Sequence, residues 1–346
     1  MQPYEHGGDV YGKGDIRLDF SVNTNPLGMP ENVKQAILAN MDGYVRYPDP
    51  HCRALVGAIA AHHGVAGENV LCGNGAADLI FRICACLKPK TVLTPAPTFS
   101  EYARSAEVFG SAIRTFSLAA EDGFALKEDF LTAITPGVNM VFLCTPNNPT
   151  GRLIPRELIR KTAEACKRIG AILVLDECFM GFTGGPSMVE ELSQHPNLLI
   201  LRAFTKLYAM AGLRLGYLLC ADGALLKRIE SFGAAWSVSA PAQAAGVAAL
   251  QAEPAWGERT RALAAEERQY LSAALKELGV TVYPSDGNFL LLEWDHPLYA
   301  PLLARGIYVR PCANFTGLDE RYIRIGIKTH EDNAALVRAI SEVING

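Results

Sequence analysis

The stretch Met140-Val-Phe-Leu-Cys-Thr-Pro-Asn-Asn-Pro-Thr-Gly151 joins a buried-strand pattern to a sharp turn, and it decides the class of fold. Its first five residues are apolar, which is typical of a strand covered on both faces. The Asn, Pro and Gly residues that follow favour a turn. Two interpretations of the turn stay open, a plain connection or a ligand-binding loop. The second arises because parallel sheets bind ligands at the carboxyl ends of their strands, where an Asn amide can donate to a ligand oxygen.

Strand and helix patterns alternate on both sides of this stretch. Six more strand patterns are present at Asn69–Cys72, Thr91–Thr94, Ala112–Phe116, Ala171–Asp176, Leu198–Arg202 and Leu215–Cys220. Helical patterns lie between several of them, at Arg53–His63, Gly75–Cys86, Ser100–Phe109 and Pro155–Ile169. This alternation predicts an α/β fold in which helices cover both faces of one mostly parallel, seven-stranded sheet.

The last third of the sequence has a different pattern. A long charged helix, Ala255–Leu278, precedes short strand patterns at Val280–Tyr283, Phe289–Glu293, Tyr308–Pro311 and Tyr322–Ile327 and a closing helix at Glu331–Val343. This order predicts a smaller α+β domain. We expect an N-terminal arm (residues 1–44) that packs with the small domain, a large domain (45–235) and a small C-terminal domain (236–346).

The composition argues against several classes of protein. Of the 346 residues, 49% are hydrophobic and 20% are charged, which is enough for a large core. The 36 acidic and 32 basic residues give a net charge of −4, which argues against a nucleic-acid or anionic-membrane surface. The nine cysteines include no C-x-x-C pair. We therefore expect reduced thiols rather than a disulfide framework, and no metal site.

Two segments bear on the location of the protein. The N-terminus lacks the basic and apolar regions of a signal peptide. The charge-free run Gly233–Ala252 is rich in Ala and includes polar residues, so a buried or interface helix is favoured over a membrane span. A cytoplasmic protein is expected.

Two charged residues stand where burial would be costly. Asp176 ends an apolar strand pattern, so its carboxylate needs either a structural ion pair or a cationic ring nitrogen of a cofactor. Lys206 lies in an apolar segment, where it could extend to solvent or be a desolvated amine nucleophile toward a carbonyl. Arg214 follows eight residues later, and a turn at Gly212 could bring the two cations together.

The segment Gly73-Asn-Gly-Ala-Ala77 follows a strand pattern and opens a helix. Backbone amides at such a start bind anions, although the complete nucleotide-binding motifs are absent here. A phosphate at this helix start, a ring nitrogen on Asp176, a ring oxygen on an Asn and an aldehyde on Lys206 describe one ligand, pyridoxal phosphate.

The order N-N-P-T-G, D-E, T-K and R resembles the fold-type I pyridoxal-phosphate enzymes over nearly the whole chain. The resemblance implies that Lys206 holds the cofactor covalently and that Asp176 keeps its pyridine nitrogen protonated. It also implies a homodimer with shared active sites. The other cofactor contacts that it implies are Gly75, Ala76, Thr205 and Arg214 on the phosphate, Phe99 on the ring face, Asn148 on the ring hydroxyl, and Tyr47 on the phosphate of the neighbouring subunit.

Within this group the chain resembles the histidinol-phosphate aminotransferase branch, and most closely the threonine-phosphate decarboxylases of cobalamin biosynthesis. The features that favour the decarboxylases are His6-Gly-Gly-Asp-Val, Leu18–Gly28, Val309–Phe315, and Phe179 in place of the aminotransferase Tyr. The resemblance implies Arg324 on the substrate α-carboxylate, His6 and Arg310 on the substrate phosphate, and further contacts from Asn25 and Asn148. A disordered terminal residue is the alternative for His6.

The expected reaction is decarboxylation of a phosphorylated amino acid, from L-threonine O-3-phosphate to aminopropanol phosphate. The nearer alternative is an aminotransferase that acts on histidinol phosphate with 2-oxoglutarate, and the more distant one is a non-catalytic module. Some decarboxylases have a Lys four residues before the position of Arg324, where this chain has Glu320. Another phosphorylated amino acid, such as serine phosphate, therefore stays open.

Overall fold

The computed structural model describes residues 6–252 and 254–346. Their strands and helices form one large sheet with helices on both faces, and two smaller sheets. In chain order they are β1 (Leu18–Asp19), α1 (Glu31–Ala39), α2 (Arg53–His63), β2 (Val70–Gly73), α3 (Ala76–Leu87), β3 (Thr91–Ala96), α4 (Glu101–Val108), β4 (Ala112–Ser117), β5 (Met140–Cys144), α5 (Arg156–Arg168), β6 (Ile172–Asp176), β7 (Leu198–Ala203), β8 (Gly216–Cys220), α6 (Gly223–Glu230), α7 (Ala240–Gln251), α8 (Ala255–Glu277), β9 (Thr281–Val282), β10 (Phe289–Glu293), α9 (Tyr299–Ala304), β11 (Ile307–Tyr308), β12 (Arg310–Pro311), β13 (Tyr322–Gly326) and α10 (His330–Asn345).

The large sheet has seven strands in the order β2-β8-β7-β6-β5-β3-β4. Only β8 is antiparallel to its neighbours; the other pairs are parallel. The register pairs Cys144 with Asp176 and Asp176 with Leu201, so β5, β6 and β7 end at the same edge of the sheet. The predicted α/β fold with a mostly parallel seven-stranded sheet is confirmed.

Side chains of the central strands alternate between two apolar layers. Leu173 and Leu175 of β6 pack in the layer that contains α2, α5 and α7. Val174, between them in sequence, packs in the layer that contains α3, α4 and α6. Because both faces are covered, these strands carry continuous apolar runs instead of an alternating pattern.

A four-stranded antiparallel sheet, in the order β12-β13-β10-β9, forms a second core with α8, α9 and α10. The N-terminal arm joins it, since Leu18 and Asp19 of β1 pair with Ile307 and Tyr308 of β11. The prediction of a single strand at Tyr308–Pro311 is wrong. The chain changes sheets at the buried Val309, so β11 pairs with β1 while β12 pairs with β13.

The charge-free run Gly233–Ala252 contains α7, which is buried as expected. Its Ala242, Ala245 and Ala249 are fully buried in the core of the large sheet, although the predicted division assigns them to the small domain. The three-part division therefore stays a prediction. Among the described residues, no helix is both long and apolar enough to cross a membrane.

Candidate active site

A cavity of about 210 Å³ lies at the carboxyl ends of β5, β6 and β7 and extends to β12 and β13. The first three strands belong to the seven-stranded sheet and the last two to the four-stranded sheet, so residues of both sheets line the cavity. Ten of the thirteen residues predicted for the site line it: His6, Ala76, Phe99, Asn148, Asp176, Thr205, Lys206, Arg214, Arg310 and Arg324. Gly75, Asn25 and Tyr47 do not.

The two asparagines of the turn after β5 have different tasks. Asn147 accepts a hydrogen bond from Thr98 Oγ1 and donates to Pro97 O and Thr150 Oγ1, so it holds the turn itself. Asn148 Oδ1 accepts a hydrogen bond of 2.5 Å from Arg324 Nη1. Because its oxygen is engaged, Asn148 can offer the Nδ2 amide hydrogens to a ligand oxygen in the cavity. The turn is thus both a connection and part of the cavity wall.

Asp176 is a buried carboxylate at the end of β6, with 5% of its surface exposed. Its Oδ2 accepts from Tyr102 Oη at 2.7 Å and its Oδ1 from the Cys178 amide at 2.9 Å. Burial raises the pKa of Asp176, and these two donors oppose the rise only in part. In the part of the chain that the structure describes, Asp176 forms no ion pair. A cationic ligand group would meet an uncompensated carboxylate here.

The neighbouring Glu177 has the structural ion pair that the sequence left open for this segment. Its Oε2 accepts from Arg202 Nη2 at 2.7 Å and from Ser187 Oγ at 2.5 Å, and its Oε1 accepts from the Met188 amide at 2.9 Å. The two adjacent acidic residues therefore have different roles. Glu177 fastens the loop after β6, while Asp176 faces the cavity.

Lys206 follows β7 and its side chain lines the cavity, with Nζ 5.8 Å from the centroid of the Phe179 ring. Burial, with a smaller contribution from Arg324, lowers the pKa of Lys206 to about 7. A large fraction of this amine is therefore neutral near pH 7, as a nucleophile toward an aldehyde must be. Its backbone carbonyl accepts from the Asn25 amide at 2.9 Å.

The end of the cavity near α3 is built to receive an anion. Ala76 begins α3, and its N-terminal amides adjoin Thr205 and Arg214. Gly75 precedes the helix with φ +83, and a Cβ at this position would lie 2.6 Å from Arg214 Nη2. Gly75 therefore leaves room for the Arg214 guanidinium at the anion site, although it does not line the cavity itself. A turn at Ala211–Leu213 lies between Lys206 and Arg214, and both cations line the cavity, as expected from the turn predicted at Gly212.

Two buried arginines lie side by side on another wall of the cavity. Arg310 of β12 and Arg324 of β13 are direct register partners, with 3% and 6% of their surfaces exposed. Arg324 Nη2 donates to Ser21 O at 2.7 Å, while its Nε has no partner among the described residues. Burial and, to a lesser extent, Arg310 lower the pKa of Arg324 to about 10, so Arg324 remains charged at pH 7. Adjacent like charges are unfavourable unless anions lie between them.

The predicted substrate contact from Asn25, in the segment after β1, is not supported by its position. Asn25 lies outside the cavity, because its Nδ2 donates to Leu207 O and Thr260 Oγ1 and its Oδ1 accepts from the Leu27 amide. It supports the backbone of Lys206 and is not placed to bind substrate. Asn23 lines the cavity instead, is 1% exposed, and has an Nδ2 without a partner among the described residues. Both lie in the segment that resembles the decarboxylases.

His6 and Tyr47 lie in different surroundings. His6 lines the cavity, with its ring centroid 5.7 Å from that of Phe99, so the alternative of a disordered residue does not hold. Tyr47 is 80% exposed outside the cavity and contacts the Trp236 ring at 4.8 Å between centroids. Its predicted contact with a neighbouring subunit stays a prediction.

Residues 15–340 match the model of the aminotransferase class I and II family. This chain belongs to that family. It is 42% identical to the threonine-phosphate decarboxylase of Salmonella typhimurium, over 96% of this chain and 92% of that protein. It is 34% identical to a histidinol-phosphate aminotransferase of Desulfitobacterium hafniense, over 95% and 92% of the two chains. The structure is similar to that of the histidinol-phosphate aminotransferase of Clostridium acetobutylicum (TM-score 0.88, 28% identity, 95% and 99% coverage).

The predicted resemblance and the predicted cofactor are both confirmed, and the cavity fits pyridoxal phosphate. The uncompensated Asp176 suits a pyridinium nitrogen, and the desolvated Lys206 amine suits an aldehyde. The amides at the start of α3, with Arg214, suit the phosphate. The role of each residue remains a proposal. Tyr102 is a residue of the site that could not be identified from the sequence, because only the fold brings its hydroxyl to Asp176.

Proposed function

We propose that this chain decarboxylates L-threonine O-3-phosphate to aminopropanol phosphate and carbon dioxide, with pyridoxal phosphate as cofactor. The observation that carries the proposal is the pair of adjacent buried guanidinium groups, Arg310 and Arg324, in the cavity that contains Lys206. An amino acid with a phosphate group supplies an anion to each of them. Similarity to the Salmonella decarboxylase over nearly the whole chain supports this substrate. We also propose a cytoplasmic location and a role in cobalamin biosynthesis, as the resemblance of the sequence implies.

In this proposal Arg324 holds the substrate carboxylate. Asn148 Oδ1 and Ser21 O fix two of its nitrogens, so the guanidinium plane is set before the substrate arrives. Arg310 and His6 hold the phosphate at the other end. The bound cofactor supplies an electron sink for the bond that breaks at Cα. With a pKa of about 7, the Lys206 amine can hold or release a proton near neutral pH.

Transamination of histidinol phosphate is the second candidate. It is favoured by the 34% identity to the Desulfitobacterium aminotransferase and by the fold of the Clostridium enzyme. The two reactions break different bonds at Cα, and the phosphate anchor helps to orient the substrate so that one bond is selected. Histidinol phosphate has no carboxylate, so it would leave Arg324 without that partner in the first half-reaction.

Incubation with three substrates tests the proposal. The cofactor-loaded enzyme is given threonine phosphate, serine phosphate or histidinol phosphate, with and without 2-oxoglutarate, and both carbon dioxide and keto product are measured. We expect carbon dioxide from threonine phosphate without need of 2-oxoglutarate. Keto product from histidinol phosphate that depends on 2-oxoglutarate, without carbon dioxide from threonine phosphate, would establish the aminotransferase instead.

His6→Ala and Arg310→Ala should each lower kcat/KM for threonine phosphate by roughly 10- to 150-fold, the worth of one charge-assisted hydrogen bond. Cofactor absorbance should stay unchanged, because neither residue is proposed to touch the cofactor. Arg321→Ala is the matched control, since Arg321 is a nearby exposed residue that pairs with Asp319 outside the cavity. Parent-like turnover in both test variants would place the substrate phosphate elsewhere.

A second copy of this chain is the proposed partner. Large apolar side chains are exposed along residues 38–47 and again near 232–236. They are Leu38, Met41, Val45, Tyr47, Phe232 and Trp236, each at least 48% exposed. The rings of Tyr47 and Trp236 are in contact, which joins the two segments, and exposed apolar side chains of this kind are typical of an oligomer interface. Tyr47 is part of it, so in a symmetric dimer it would approach the other subunit rather than its own cavity.

Mixed dimers of two inactive variants should recover activity. If Tyr47 serves the neighbouring cofactor, Tyr47→Ala and Lys206→Ala subunits combine to give one intact site in each heterodimer. Random mixing makes half of the dimers heterodimers, so we expect roughly a quarter of the parental activity per total site. The measurement is activity after the two variants are unfolded and refolded together. Recovery no greater than the sum of the separate variants, or a monomer by light scattering, would contradict a shared site.

A further inference from the structure

Glu101 is a buried carboxylate in the first turn of α4, with only 2% of its surface exposed. Its Oε1 lies 3.2 Å from His6 Nε2, and its Oε2 accepts from Arg104 Nη1 at 3.0 Å. Burial alone would raise the pKa of Glu101, but the contacts with His6 and Arg104 hold it below its ordinary value. Glu101 is therefore an anion that touches a predicted substrate ligand from outside the cavity.

The backbone beside His6 is anchored as well. A Cβ on Gly7 would lie 2.2 Å from Ser21 O, so a larger residue could not approach the β1 arm this closely. The Gly8 amide donates to Ser21 Oγ at 2.8 Å. These contacts hold the backbone next to His6 in place, but they do not orient its imidazole ring. The ring itself contacts Glu101 and also Phe99, whose ring centroid is 5.7 Å away.

His6 stands at the junction of two cavities. It lines the active-site cavity and also a groove of about 640 Å³, to which Ser100, Arg104 and Glu107 contribute. Phe99 and Phe315 also line both, so the imidazole lies on the boundary between the groove and the active-site cavity. A histidine between a carboxylate and a phosphate can donate to both only as the imidazolium, since a neutral ring has one N–H.

We propose that Glu101 is a positioning residue for substrate binding: it holds the His6 imidazole at the junction and supplies the negative charge against which His6 binds the substrate phosphate as a cation. The inference rests on the proposed function in one respect, that the substrate carries a phosphate. Glu101 does not line the active-site cavity, so it acts through His6 and not on the substrate itself.

A double-mutant cycle tests the proposal on the cofactor-loaded enzyme. The variants are Glu101→Gln, His6→Gln and the double variant, and kcat and KM are measured with threonine phosphate. We expect Glu101→Gln to raise KM about tenfold and to change kcat by less than about twofold. In the His6→Gln background the same substitution should have no further effect. Glu107→Gln, an exposed Glu on the same helix that also borders the groove, is the matched control and should behave like the parent.

Other outcomes would overturn the inference. Effects of Glu101→Gln and His6→Gln that multiply would mean that Glu101 acts independently of His6, and an unchanged KM would mean that it does not act. If the parent releases no carbon dioxide from threonine phosphate but transaminates histidinol phosphate, the proposed function fails, and the same cycle on histidinol phosphate decides the inference. If the parent turns over neither phosphorylated substrate, both are wrong.

Discussion

A Lys206→Ala variant is expected to fold like the parent and to lose turnover by more than about 10³-fold, the scale at which removal of a covalent catalytic group acts. The reason is specific to this amine. Burial and neighbouring cations hold its pKa near 7, so it is neutral enough to attack an aldehyde at neutral pH. Alanine leaves the cofactor without a covalent attachment. The measurements are carbon dioxide release from threonine phosphate and the visible absorbance of the purified protein.

Three controls make the Lys206 result interpretable. Lys90→Ala removes an exposed lysine outside the cavity and should retain parental activity and absorbance. Borohydride reduction followed by peptide mapping should label the peptide that contains Lys206 in the parent and no peptide in the variant. Thermal unfolding of the cofactor-free variant should match that of the cofactor-free parent, because Lys206 has no ion-pair role in the fold of the described residues. Parent-like turnover would overturn the assignment of Lys206.

The large sheet could be predicted because its information is local. Each central strand carries an apolar run, and the helices between them carry their own periodicity. The small sheet was harder. Nothing near Val309 in the sequence shows that the chain changes partners there, since the choice depends on β1, at the opposite end of the chain. Short strands of two residues are set by such distant pairings rather than by local propensity.

Some residues of the cavity could likewise be predicted from local sequence, and others could not. Asp176, Lys206 and Asn148 follow recognisable strand ends, so their positions along the chain already predict a common edge of the sheet. The groups that orient them could not be found by this reasoning. Tyr102 reaches Asp176 only because α4 packs against β5 and β6, and Glu101 reaches His6 across 95 residues of sequence. Asn23 and Asn25 are two residues apart, so a fully extended arm would direct both side chains to one side. The turn that begins after Asn25, where Asn25 Oδ1 accepts from the Leu27 amide, separates them, and the sequence does not show this.

The two buried arginines were named from the family resemblance. The resemblance implied an anion for each, but only the register of β12 and β13 makes them neighbours. Placed side by side with little exposure, they suit a substrate with two anionic groups. Glu320, which stood where some decarboxylases have a lysine, is exposed and is not part of the cavity lining. A phosphate site built from Arg310 and His6 does not require a basic residue there.

Asp176→Asn should lower kcat by about 10²- to 10³-fold, the scale of losing one preorganised electrostatic contact in an active site. The carboxylate is buried, its pKa is raised by that burial, and among the described residues it has no cation of its own. A pyridinium nitrogen would supply the missing positive charge, and the carboxylate would in turn keep that nitrogen protonated. Asparagine has nearly the same shape and can still accept from the Cys178 amide, but it provides no negative charge. The measurements are kcat at saturating cofactor and the dissociation constant of the cofactor.

Tyr102→Phe separates the charge of Asp176 from its orientation. It removes the hydroxyl that donates to Oδ2 at 2.7 Å and leaves the carboxylate in place, so kcat should fall only about 2- to 10-fold, as for one lost neutral hydrogen bond. The cofactor-free Asp176→Asn protein should be at least as stable as the parent, because an uncompensated buried carboxylate is removed and no ion pair is broken. If instead Asp176→Asn keeps kcat within about fivefold of the parent while its cofactor absorbance is unchanged, the ring nitrogen is not held by Asp176. The buried carboxylate would then need another partner, and the orientation proposed for the cofactor would be wrong.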